Sequence, residues 1–152
     1  MAVLSTIGIA SFVSYSHSQT LQQAVNDLVV TLNTAKSNAT AQVKPDSLTS
    51  NCVSGVLNGY QVVLSAATTP NSYTLDAVCG GAPDPDPASK VTTKLPIGVS
   101  FDSSMFAPST NTMTITFGVL TGGVTGNGDI VLDGVGVTTK KTITVTPGGL
   151  IE

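Results

Sequence analysis

A few side chains in this 152-residue chain have the right types for chemistry. The single histidine, His17, lies among Ser14, Ser16 and Ser18. These are the parts of a hydroxyl nucleophile and its base. A working triad also needs a carboxylate behind the imidazole and a cleft around all three. Neighbours on one helix-patterned stretch do not supply that, and His17 reads as an exposed helix residue. Asp84 and Asp86 form one close carboxylate pair, Asp129 and Asp133 another. Acid–base catalysis needs two such groups converging in a pocket, whereas these pairs read as lying on a proline loop and on one exposed strand. Asp84 and Asp86 are also hard oxygen donors, yet a calcium site takes about six to eight oxygens. The sequence holds no G-x-S-x-G elbow, no H-E-x-x-H pair and no phosphate loop. No catalytic, cofactor-binding or metal-ligating residue is assigned, no cofactor is expected, and the chain reads as a non-enzyme.

Charge and aromatic content bear on partners. The net charge is −3, with six lysines and no arginine. Proteins that hold nucleic acid cluster Lys and Arg against phosphates, and the only adjacent basic pair here is Lys140-Lys141. Three Tyr, four Phe and no Trp leave little to stack on bases. No nucleic-acid partner is expected. The chain carries 22 Thr and 16 Ser and few charges, but it is too rich in apolar residues to read as disordered. That composition suits a place outside the cytoplasm. In such a place Cys52 and Cys79 read as one disulfide, the alternative being two buried thiols. The bond would close a 28-residue loop and stabilise by about 3–4 kcal/mol on the chain-entropy estimate.

The element that dominates the chain is its N-terminal segment. Met1 to Val13 is apolar or small on every face and runs without a break into Gln19 to Lys36, which is apolar on one face only. In the second part Leu21, Val25, Leu28, Leu32, Ala35 and Ala39 step by four and three, the spacing of a helical stripe. Pro45 is the expected stop, because it pushes the preceding residue out of helical geometry. The pattern predicts one helix from about Met1 to Val43. Leu21, Val25, Leu28 and Leu32 should pack on a sheet. Val3, Leu4, Ile7, Ile9, Phe12 and Val13 should project beyond the domain and serve assembly. A helix with apolar residues all round needs lipid or other protein about it. Met1 to Val13 is shorter than the roughly 20 residues that span a bilayer. It lacks the basic start and cleavage site of a signal peptide, and reads as the second half of a longer hydrophobic stretch.

The boundaries that follow are residues 1–44 for the helix and 45–152 for a β-rich head. The helix divides into an apolar assembly or membrane half over about 1–18 and an amphipathic half over about 19–44. In the head, Tyr60–Ala66 and Ser72–Cys79 read as a hairpin, with Gly80–Ser89 as a proline-broken loop. Val91–Phe101 is extended, with Pro96 at an edge or bulge. Thr112–Val119 alternates cleanly, Thr121–Gly128 is a glycine turn, and Asp129–Asp133 pairs with Lys141–Thr146. A long helix followed by about six antiparallel strands is an α+β arrangement.

This order of parts resembles the type IV pilin and type II secretion pseudopilin superfamily, most closely the H-type minor pseudopilins and related minor pilins. Leu28-Val-Val-Thr-Leu-Asn-Thr-Ala-Lys-Ser-Asn-Ala39 is similar to that group's leucine, alanine and basic pattern late in the helix. Leu95-Pro-Ile-Gly-Val-Ser100, Met113-Thr-Ile-Thr-Phe117, Gly128-Asp-Ile-Val-Leu132 and Lys141-Thr-Ile-Thr-Val-Thr-Pro-Gly-Gly-Leu-Ile151 follow in that group's order. The glycine, aromatic residue and glutamate of a prepilin processing site are absent, and Met1-Ala-Val-Leu reads as a point inside the apolar segment. The resemblance implies a pilin-like fold and a bacterial structural subunit of a type IV pilus (a fimbrium) or a type II secretion pseudopilus. Its partners would be other pilin or pseudopilin subunits in a helical filament. It would cross the cytoplasmic (inner) membrane once before assembly and then stand in a periplasmic or extracellular filament. The alternative is a membrane-anchored extracytoplasmic binding domain or adhesin that does not polymerise. A tethered binder of that kind usually carries a flexible Gly, Ser or Pro linker, and none lies between Met1 and Lys44.

Overall fold

The structure is a computed structural model that describes residues 3–46, 50–106 and 110–152, with side chains described from residue 13 onward. It is an α+β fold in which one N-terminal helix packs on antiparallel sheets. The helix, α1, runs unbroken over Val3–Thr40, about 57 Å at 1.5 Å per residue. Its stripe is what holds it to the head. Leu21, Leu28, Leu32, Ala35 and Ala39 are fully buried, and Val25 is half-buried against the same core. Thr20, Thr31, Thr34 and Thr40 return their hydroxyls to the carbonyls four residues back. Those hydroxyls are satisfied within the helix rather than competing with it.

The helix ends earlier than Pro45 implies. Val43 N donates to the Asn38 carbonyl at 3.0 Å and Gln42 N to the Ala39 carbonyl at 3.2 Å. Gln42 between them has φ 54°. This pair of bonds around a left-handed residue is a Schellman cap, a position that favours glycine. The expected end near Val43 is therefore corrected to Thr40. Backbone bonding closes the helix before the proline is reached. The hydroxyl of Tyr60 then donates to the Val43 carbonyl at 2.8 Å and fixes the exit of the chain.

The described residues form nine strands: β1 (Leu57–Ser65), β2 (Ser72–Cys79), β3 (Ala82–Pro83), β4 (Val91–Lys94), β5 (Val99–Phe101), β6 (Thr112–Gly118), β7 (Val124–Thr125), β8 (Gly128–Gly134) and β9 (Lys141–Val145). They make two sheets where one was expected. The larger has the order β3-β2-β1-β6-β7, with β4 also on β2, and the smaller has the order β5-β8-β9. The division falls inside the segment read as one extended stretch from Val91 to Phe101. Val99 N bonds back to the Pro96 carbonyl at 3.0 Å, and Gly98 sits at φ 87°, so the chain turns there and leaves the first sheet for the second. Pro147–Ile151 also folds back, as Ile151 bridges Val145.

Alternation decides which face is core. Tyr60, Val62 and Leu64 of β1 stand opposite Phe117, Ile115 and Met113 of β6 and opposite Ala77, Leu75 and Tyr73 of β2. These rows face the helix. From the smaller sheet come Phe101, Ile130, Leu132, Ile143 and Val145. The helix touches β1 and β6 of one sheet and β5, β8 and β9 of the other, so a single stripe closes both.

Candidate assembly surface

Helix α1 outruns its head. Among the described side chains Leu21 is the first that is fully buried, and residues 13–19 are exposed. The turn after β8 meets this end of the helix. There Gly134 lies against Leu21, and Gly136 is so close to the His17 ring that a Cβ would meet Nδ1 at 3.1 Å. Beyond that turn the described part of the rod is exposed, with Val13 at 45 % and Tyr15 at 64 %. Between Met1 and Asn26 the sequence has no Asp, Glu, Lys or Arg. Among the predicted assembly residues only Val13 has a described side chain. Val3, Leu4, Ile7, Ile9 and Phe12 lie on the helical backbone, and their side chains fall outside the described residues. Of the predicted packing residues, Leu21, Leu28 and Leu32 meet the sheets in full and Val25 in part.

Cys52 and Cys79 are bonded to each other with Cα atoms 5.2 Å apart. The bond joins the helix-to-sheet connection to the end of β2. Beside it lies a polar hub in the segment that the sequence marks as a proline-broken loop. Asp84 is 0 % exposed. One carboxylate oxygen accepts from the hydroxyl of Ser50. The other accepts from Asn51 N and from Asp86 N, each at 3.2 Å. The Ser50 hydroxyl in turn accepts from Cys52 N at 3.0 Å. Burial opposes ionisation of Asp84, but the hydrogen bonds from Ser50, Asp86 and Asn51 outweigh it, and the carboxyl is held below its ordinary value. Asp86 accepts from Ala88 N at 2.9 Å and caps the 3₁₀ turn Pro87–Ser89. Both oxygens of Asp84 are thus occupied by protein donors. The carboxylate works as a latch on the Cys52 turn.

Asp76, on the face of β2 turned away from the helix, is a second buried carboxylate. It stands opposite Gln61 in register, accepts from the Gln61 amide at 3.4 Å and lies 3.7 Å from Lys90 Nζ. Its Oδ1 has no hydrogen-bond partner. Burial pushes its carboxyl above the ordinary range, against the pull of Lys90 and the Gln61 hydrogen bond. Gln61 beside it and Lys90 above it border the carboxylate on this face.

The basic pair at the end of the head is partly committed. Lys140 Nζ bonds the Asp102 carboxylate and lies 3.9 Å from that of Asp133. The hydrogen bond from Lys140 holds the Asp102 carboxyl well below the carboxylate range, and Asp102 raises Lys140 in return. Lys140 therefore ties the turn Ser103–Met105 to β8.

Among the described residues, no group of three or more His, Cys, Asp or Glu side chains is placed to hold a metal ion. Among the same residues no helix is long and apolar enough to cross a membrane. No family model matches the chain, and neither a curated protein nor a solved structure does.

Proposed function

We propose that this chain is a structural subunit of a type IV pilus-like or type II secretion pseudopilus filament, assembling through α1. The observation that carries the reading is the uncharged rod continuous with the packed helix. Residues 13–19 are exposed, while the stripe from Leu21 onward is buried. A helix end of this kind gains by burying its apolar side chains against other copies, at about 1.5–3 kcal/mol for each Val, Leu, Ile or Phe enclosed. The absence of a break in α1 over Val3–Thr40 favours a rigid filament subunit over a domain on a flexible tether. On this reading the fold is pilin-like and the protein performs no catalysis. Its partners are like subunits and, before assembly, the cytoplasmic membrane; afterwards it stands in a periplasmic or extracellular filament. The Cys52–Cys79 bond suits such an oxidising place.

Ile7→Asp or Phe12→Asp in the full-length subunit tests the reading. Either change should abolish incorporation into filaments and leave the head folded, because both positions precede Leu21, where the buried stripe of the described residues begins. Filaments at normal yield from such variants would show that α1 is not the assembly element.

A further inference from the structure

Two uncharged features lie at opposite ends of the head along the α1 axis. The first is a knob at Leu120. Thr121 N donates to the Val119 carbonyl at 2.7 Å across it, and Leu120 has φ 65°. It is therefore the central residue of a γ-turn of the rare, strained hand. A bulky L-residue is strongly disfavoured there. Leu120 is 71 % exposed and belongs neither to the core nor to the residues packed against it. Strain held at a position that the fold does not use points outward, to function. The turn sits at the last turn of α1, since Gly122 lies against Thr40 and the adjacent Gly149 against Lys36.

The second feature is a groove of about 310 Å³, lined among others by Pro70, Pro96, Ile97, Val99 and Val135, with no charged residue in its walls. Ile97 stands on its rim at 95 % exposure. Val135 lies between Gly134, which touches Leu21, and Gly136, which touches His17, so the groove is at the opposite end of the head. From the level of His17–Leu21 to that of Lys36–Thr40 is about 28 Å along the helix.

A knob and a groove on one molecule, facing different ends, cannot satisfy each other within one chain. They can do so between copies, and a contact of this head-to-tail kind repeats instead of closing. Neither Val119–Gly122 nor the groove lining includes a charged residue, and the charge nearest the knob, Lys36, already donates to the Gly149 carbonyl at 2.9 Å, so mating them need not bury an ion without a partner. We propose that the Leu120 turn of one copy seats in the Ile97–Val135 groove of the next, stacking heads along the α1 axis. The inference rests on the filament reading for the alignment of the copies, and names the head surfaces that meet.

Full-length chain carrying both Leu120→Cys and Ile97→Cys tests it, with Cys52 and Cys79 still bonded to each other. The variant is oxidised by an added small disulfide, and wild-type filaments are scored in parallel by electron microscopy. The double variant should give a ladder of cross-linked multimers on a non-reducing gel, and each single variant dimers at most. Filaments without a ladder overturn the head contact and leave the filament reading standing. A ladder without filaments supports the contact and overturns the filament reading. The absence of both overturns both. Cross-linking of Ile97→Cys to Tyr15→Cys in place of Leu120→Cys would give the groove to a neighbour's helix and overturn the knob. Leu120→Gly separates contact from folding. It relaxes the strained turn, so the thermal midpoint should rise while filament yield falls at least tenfold. An unchanged yield overturns the proposal.

Discussion

The hydroxyl of Ser50 donates to the carboxylate of Asp84, 34 residues further along the chain and fully enclosed. The contact ties the connection that follows α1 to the loop that follows β2, beside the disulfide that joins the same two segments.

Asp84→Ala should therefore cost far more than an exposed loop substitution. It leaves Ser50 Oγ, Asn51 N and Asp86 N without their acceptor, and the expected loss is about 2–4 kcal/mol, read from urea unfolding. The folded carboxyl lies below its ordinary value. Its contribution is thus complete above the unfolded pKa of about 3.9 and lost as the pH falls through the folded value. Wild type should weaken with acid more steeply than Asp84→Ala.

Asp76 carries the opposite sign. Its folded carboxyl lies above the ordinary range because it is buried, so this site loses stability as the pH rises from the unfolded value through the folded one. Asp76→Asn removes that loss. Its stability relative to wild type should be more favourable at pH 7 than at pH 4. Unfolding curves with the difference reversed would show that Lys90 dominates the site.

Replacing Cys52 and Cys79 by serine should destabilise the head by about 3–4 kcal/mol for a loop of this length. The Asp84 latch crosses the same junction, so the disulfide-free variant should still fold. Adding Asp84→Ala to it should cost more than the sum of the separate changes if the two ties share one structural unit. A double-mutant cycle on unfolding free energies decides this.

Gln42→Gly should stabilise by about 1 kcal/mol, since φ 54° is disfavoured for an L side chain and free for glycine. Calorimetry measures the gain.

Leu28→Ala should cost about 2–5 kcal/mol, because Leu28 is fully buried between the helix and the sheets. Val30→Ala, two positions on and facing solvent, should lie within about 0.5 kcal/mol of wild type. The contrast, measured by denaturant unfolding, reports which face of α1 the head covers.

The helix stripe and the alternation in β6 were legible in the sequence because periods of 3.6 and 2 record burial directly. Cys52 with Cys79 and the β8–β9 pair were legible too. Other features leave no periodic pattern in the residues that make them. The end of α1 is decided by backbone bonds around Gln42, and a glutamine gives no sign that it will adopt a glycine's conformation. The second sheet arises because the turn at Pro96–Gly98 releases β5 to pair with β8, while the residues on either side read as equally extended. Asp84, flanked by prolines, has the composition of an exposed loop. Its burial comes from Ser50 and Asn51, which no local pattern connects to it. Leu120 reads as one more apolar residue before a glycine turn, and only its φ marks it.

Lys36 Nζ donates to the Gly149 carbonyl at 2.9 Å across 113 residues, and the stripe of α1 covers strands as late as β9. The order of synthesis therefore runs against the order of burial. Within this chain the helix is made before every strand, and β9 is made after the other eight. Contacts of such long sequence separation form slowly. Until Lys141–Val145 has been made and paired, the stripe of Leu21, Leu28 and Leu32 lacks the part of its cover that β9 supplies. The nascent chain in that interval presents an uncovered apolar helix, which a lipid surface or a chaperone would bind.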